Sequence, residues 1–381
     1  MQSIRNIIKH VFKEGSLPYK IISKIYHFLS RQKYKIMHWH ELKEQNKKYT
    51  DRVDEAVEII KEHSNKEYIV FYNPTWLGVA ASTKGLFKNY IPLEQVLGKK
   101  NVNKIAKAIG QANIKNIIFS QIVDGWTDII EKIKIENNDL NVKVIWHGNC
   151  YEFFSDYTWN LNKEVMKLYN EGKINCFGFV RSTMYEFYKR VGFKSCYLQN
   201  NVRKDNNGKD STNQNEYTKI GIYNADSREL KNIYTALSAM SLIPNVVADI
   251  VPINEGAKAF TEILGLKNES LQDYISNDDL MKRIQGNDIN IYPTFTENAP
   301  MFPLESFEMG VPCLLGNNND YFVGTELGEY VILKREDDPV YIKERIINAL
   351  NNREKIMKLY REWKLDFNKK CDEYVQEFIN A

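Results

Sequence analysis

No stretch of this sequence approaches the ~18 uninterrupted apolar residues that a membrane-spanning helix needs, and the N-terminus has no apolar core followed by a small-residue cleavage site. The expected location is therefore the cytoplasm. Cysteine is sparse: Cys150, Cys176, Cys196, Cys313 and Cys371 are scattered, with no C-x-x-C pair and no histidine at metal-ligand spacing. Reduced thiols and no structural zinc are expected. Histidine is also scarce, and His147 is the only one after His63. There is no internal repeat or heptad array. No motif combining stacking residues with a basic patch stands out, so no nucleic-acid partner is expected.

What is present is ordinary for a folded chain. At 381 residues, with 43% hydrophobic and 27% charged residues, the length suits two domains, because single cores rarely grow beyond ~250 residues. The net charge of +3 conceals an asymmetry. Residues 1–48 carry eleven Lys/Arg against Glu14, Glu41 and Glu44, which is +8 and leaves about −5 for the rest. Ile4, Ile7, Ile8, Val11 and Phe12, then Ile21, Ile22, Ile25, Tyr26, Phe28 and Leu29, keep one helical face on either side of Gly15-Ser16-Leu17-Pro18. Two basic amphipathic helices are expected there. Two readings stand equally: a contact with anionic lipid at the inner membrane face, or a helical extension packed on the body or on another copy.

From residue 51 short apolar strands alternate with helical stretches, the signature of a parallel sheet covered by helices. Strands are expected at Tyr68–Tyr72, Asn116–Ser120, Lys143–Trp146, Cys176–Val180 and Cys196–Leu198. After the polar run from Asn200 to Lys219 they resume at Lys219–Tyr223, Val246–Val251, Ile289–Tyr292 and Pro312–Leu315. Helices should begin near Ser227, Asn277 and Pro303, and one long helical stretch should run from Val340 to Ile379. The fold class is α/β, two Rossmann-like doubly wound units facing a cleft. Its expected division is a helical extension (1–50), a first unit (51–204), a linker (205–218), a second unit (219–340) and closing helices (341–381).

In such sheets ligands bind outside the carboxyl ends of the strands. The richest place of that kind runs from Asn290 to Pro312. Glu297 lies in a loop after a strand, and Glu305, with seven residues between, lies in the opening turn of a helix begun at Pro303. A helix start adds free N–H groups and a positive dipole end suited to a diphosphate. Two solvated acids beside an ordinary turn would look the same by spacing alone. Arg228 and Lys231, three apart after the preceding strand, would share a helix face as two cations.

The order Pro293-Thr294, Glu297, Glu305-Ser306-Phe307-Glu308-Met309, Gly310-Val311-Pro312 resembles the E-x7-E region of retaining GT-B glycosyltransferases of the family 4 kind. Asn298-Ala299-Pro300 departs from the glycine-containing loop of many members, and Pro300 removes a backbone donor. The resemblance implies a nucleoside-diphosphate sugar as donor substrate and no cofactor. It also implies no metal, and no Asp-x-Asp motif appears at a strand end. It places Glu305 on the donor ribose, Glu297 on hydroxyls of the transferred sugar, and Arg228 and Lys231 on the diphosphate, with Thr294, Asn298, Ala299 and Met301 lining the donor. Gly78, after the first strand, resembles the family's glycine loop, and His147, at a strand end before Gly148, its histidine beside the reacting sugar. The implied activity is hexosyl transfer with retention to a glycan or lipid-linked acceptor, in cell-surface polysaccharide or glycoconjugate synthesis. A non-catalytic glycosyltransferase-like subunit and a GT-B sugar-nucleotide epimerase are the alternatives.

Overall fold

The computed structural model describes residues 39–201, 216–223 and 229–381. The two amphipathic helices expected within residues 4–29, most of the polar linker and Arg228 lie outside these residues.

The first sheet contains β1 (Tyr68–Tyr72), β2 (Tyr90–Pro92), β3 (Asn116–Ser120), β4 (Asn141–Trp146), β5 (Cys176–Phe179) and β6 (Ser195–Tyr197). They stand in the order β2-β1-β3-β4-β5-β6, all pairs parallel. Helix α1 (Trp39–Glu62) leads into β1, and crossovers are supplied by α2 (Leu77–Leu86), α3 (Lys99–Gln111), α4 (Trp126–Glu136), α5 (Asp156–Asn170) and α6 (Ser182–Arg190). Because side chains alternate along a strand, Ile69, Phe71, Ile117, Phe119, Val142 and Val144 enter one buried layer with Trp126, while Val70, Ile118 and Ile145 enter the other. Gly125 starts α4 at φ +83°, and a Cβ there would stand 1.8 Å from the Val96 carbonyl oxygen, so no other residue fits.

The second sheet contains β7 (Thr218–Ile222), β8 (Val246–Ile250), β9 (Lys267–Asn268), β10 (Ile289–Tyr292), β11 (Cys313–Gly316) and β12 (Ile332–Leu333). Their order is β12-β11-β10-β7-β8-β9, again parallel throughout. Its helices are α7 (Ile233–Ser241), α8 (Glu255–Ile263), α9 (Asn277–Gln285), α10 (Met301–Glu308), α11 (Glu326–Val331), α12 (Pro339–Asn351) and α13 (Arg353–Asn380). Each sheet reverses its direction of growth once, between β1 and β3 and between β7 and β10. Crevices open at such reversals. This is the two-lobed GT-B arrangement.

Several boundaries differ from expectation. Strands β2, β9 and β12 were not anticipated; all are edge strands of two or three residues, too short to show alternation. The helix expected near Ser227 begins at Ile233, and the one expected at Pro303 begins at Met301 after Pro300. The closing stretch is two helices, parted at Asn352, whose amide turns back to the Asn348 carbonyl (2.8 Å). The helix at Asn277 starts as expected, because the Ser276 hydroxyl accepts from Asp279 N–H (3.2 Å).

The last turns of α13 cross back and seal the first sheet. Val375, Phe378 and Ile379 pack on Val70, Ile118 and Ile145. Lys143, fully buried in β4, donates to the carbonyls of Phe378 (2.8 Å) and Ile379 (2.5 Å). Burial lowers its pKa, while the helix end supplies the acceptors and the negative dipole that a buried ammonium needs.

Candidate functional site

Strands β7 and β10 are neighbours, so the segments that leave their carboxyl ends meet at the reversal of the second sheet. After β7 a single 3-10 turn, Glu229–Lys231, carries Lys231 inward. Asn232 then takes a left-handed conformation (φ 55°), and its amide donates to the Pro293 and Glu336 carbonyls (2.9 and 2.6 Å). Lys231 is thus not on a continuous helix as expected, because the anchored Asn232 separates it from α7. After β10 the loop brings Glu297 back over the same place. The Lys231 ammonium donates to Glu297 Oε1 and to Tyr292 Oη (3.0 Å), and Tyr292 donates to the same carboxylate oxygen (2.7 Å). The Lys231 and Glu297 side chains keep only 10% and 16% exposure, so this pair is little screened.

Glu305 is the fifth residue of α10, half-buried, and not in its opening turn. Burial holds the Tyr321 phenol well above its usual range, and the neighbouring Cys371, Asp320, Glu297 and Glu305 add to this. Tyr321 is 1% exposed, and its hydroxyl has no hydrogen-bond partner among the described residues. Helix α10 is held rigidly. Ser306 accepts from Asn290 (2.8 Å) and donates to the Val311 carbonyl (2.8 Å), and Glu308 accepts from Tyr360 (2.6 Å) and Lys364 (2.7 Å) of α13. Gly310 closes it at φ +80°, with Val311 N–H on the Ser306 carbonyl (3.0 Å).

The remaining positions divide. Asn298 is buried, and its Oδ1 has no partner among the described residues. Ala299 and Met301 are half-buried around it. Thr294 is fully buried, and its polar atoms are engaged by Asn318 beneath the loop. Gly78 is the second residue of α2 and exposed; no atom lies within 4 Å of where its Cβ would be. Packing therefore does not demand glycine there.

The first lobe meets this loop directly. Arg181, just after β5, donates to the Glu297 carbonyl (2.6 Å), Asn149 to Thr296 Oγ1 (3.0 Å) and Asn200 to the Ala299 carbonyl (2.6 Å). His147, at the end of β4, is half-buried; its Nε2 bonds Ser120 Oγ (2.9 Å), itself bonded to Thr83 Oγ1 (2.7 Å), and its backbone N–H donates to Gln121 Oε1 (2.8 Å). Burial pushes its pKa down to about 4, so the ring is neutral at pH 7. Sequence reasoning missed Arg181, Asn149 and Tyr292 as site residues. The one available signal was that each stands at or just past the carboxyl end of a strand. Among the described residues no cluster of His, Cys, Asp and Glu could hold a metal ion, and no helix is long and apolar enough to cross a membrane.

No family model matches the chain, and no curated protein sequence does. Solved structures do. HepE from Anabaena in complex with UDP-glucose matches at TM-score 0.58 and 11% identity, over 82% of this chain and 99% of that one. The N-terminal domain of Candida albicans trehalose-6-phosphate phosphatase matches at TM-score 0.52 and 10% identity, over 86% and 92%. An α,α-trehalose-phosphate synthase (UDP-forming) from Burkholderia vietnamiensis matches at TM-score 0.50 and 10% identity, over 82% and 96%. What this chain shares with them is the GT-B fold.

Proposed function

We propose that the chain is a retaining glycosyltransferase that moves a hexosyl group from a nucleoside-diphosphate sugar to a glycan or lipid-linked acceptor, in cell-surface polysaccharide or glycoconjugate synthesis. The observation that carries this is the Lys231–Glu297–Tyr292 cluster at the β7/β10 reversal, under direct contact from the other lobe. A little-exposed cation beside a carboxylate suits a ligand with an anionic leaving group and a hydroxylated ring. In this reading Lys231 and Arg228 neutralise the diphosphate, Glu297 takes hydroxyls of the sugar, and Glu305 takes the ribose. Asn298 offers an unfilled acceptor, and His147 lies by the reacting carbon. The bond from the anomeric carbon to the phosphate oxygen breaks, the acceptor oxygen bonds the same face, and its proton passes to the leaving phosphate. No protein nucleophile and no metal are needed, and the basic segment 1–48 would bring the enzyme to anionic lipid. HepE, whose fold this chain shares, was captured with UDP-glucose, which favours a UDP-sugar.

The test is a thermal-shift panel of UDP, GDP and ADP followed by mass spectrometry of products from the matching sugar nucleotides. One nucleotide should raise the melting temperature by mass action, and its sugar should be transferred or hydrolysed with EDTA present. A panel in which no nucleoside diphosphate binds would leave the non-catalytic reading.

A further inference from the structure

We propose that the aromatic turn immediately after His147 is the acceptor subsite and that it receives a sugar ring in preference to a phosphorylated lipid headgroup, an inference that rests on the donor-site reading above. Asn149 fixes this turn against the other lobe. Its Oδ1 accepts from Tyr151 N–H (2.9 Å), opening the 3-10 turn Cys150–Phe154, while its Nδ2 reaches Thr296, the residue before Glu297 (3.0 Å). One side chain therefore ties the turn to the loop that carries the carboxylate.

From this turn Tyr151 and Phe154 stand out 45% and 86% exposed, with ring centroids 5.4 Å apart. Phe153, between them, turns inward onto Trp146 and Trp159 (6.1 and 5.9 Å). Two large rings left together in water, on a turn tied to the Glu297 loop, offer a face on which a ligand ring can stack.

Polar groups beside the rings narrow the occupant. A Cβ on Gly148 would meet Glu152 Oε2 at 2.5 Å and Trp146 Nε1 at 3.0 Å, so a carboxylate and an indole N–H converge at that glycine. Trp146 is 2% exposed, and its N–H has no partner among the described residues. A sugar presents weakly positive C–H groups to the negative faces of aromatic rings and hydroxyls to such donors and acceptors. The charge carried by the turn itself is acidic, with Lys163 set beyond it over the Trp159 ring (5.9 Å). Residues 147–160 hold Glu152 and Asp156 but no lysine or arginine, and the charge of Asp124 reaches Tyr157 beside them. Acids at this rim repel an anion and tolerate a neutral ring.

The experiment uses the full chain on an array of neutral oligosaccharides ending in glucose, galactose or N-acetylhexosamine, and on vesicles with and without polyprenyl phosphate. The wild type should retain at least one glycan. The double variant Tyr151→Ala/Phe154→Ala should bind it at least 10-fold more weakly, with its nucleotide thermal shift unchanged. Equal glycan binding by the variant, or wild-type binding only to the polyprenyl-phosphate vesicles, would overturn the proposal. Absence of any nucleotide shift in the wild type would instead overturn the donor-site reading.

Discussion

At the scale of single residues, the site is governed by burial acting on charge. Lys231 and Glu297 compensate one another with little solvent between them, so losing Lys231 leaves the Glu297 carboxylate little exposed without that cation. Lys231→Met should therefore weaken donor binding and also lower stability, whereas Glu305→Ala, on a half-buried side chain, should act chiefly on use of the donor. Removing charged hydrogen bonds of ~1.5–3 kcal/mol there predicts about a 10- to 150-fold fall in kcat/KM, read by steady-state kinetics on correctly folded protein. His147 gives a pH signature. Its pKa is about 4 in the fold against ~6.5 for a free histidine, so between these values the unfolded chain binds more protons. Stability should fall as pH drops through that window, by roughly 3 kcal/mol at most. Urea titrations at pH 7 and pH 4.5 should show a smaller difference for His147→Gln than for the wild type.

Among the elements, α13 belongs to both lobes. It starts in the second core, where Tyr360 stacks on Phe307 at 4.5 Å, and ends by covering the first sheet with Phe378. Truncating a fully buried phenylalanine costs about 3–5 kcal/mol, so Phe378→Ala should lower the denaturant midpoint of the first lobe. Lys143→Met should do the same by orphaning the final carbonyls of the helix. The helical stretch was readable from composition, and its return toward the first unit follows from the family resemblance, but its break at Asn352 was not legible. Long strands were legible for a related reason: Asn116–Ser120 is flanked by turns and apolar within. The three edge strands carry no pattern because two or three residues span less than one full alternation.

For the whole molecule, the described lobes are clasped. The Asp320 carboxylate of the second lobe accepts from the N–H and hydroxyl of Ser182 at the start of α6 (2.5 and 2.7 Å) and from the Tyr197 hydroxyl (2.9 Å). An anion at a helix N-terminus is stabilised by the dipole and the free N–H groups. Together with Arg181 on the Glu297 carbonyl, this clasp holds the candidate site between the lobes. Arg181→Ala/Asp320→Ala should increase the radius of gyration measured by X-ray scattering and lower kcat/KM by about 10-fold or more. An unchanged scattering profile would show that other contacts hold the lobes.

By itself the sequence determined the two runs of strands that build two parallel sheets, because strand periodicity and turn residues are local properties. It could not place Arg181 over Glu297, set Lys231 against Tyr292, or seat the last carbonyls of α13 on Lys143. Those contacts join positions 61 to 236 residues apart. Only the strand order and the closure of the lobes bring such distant side chains together, and neither leaves a trace in local pattern.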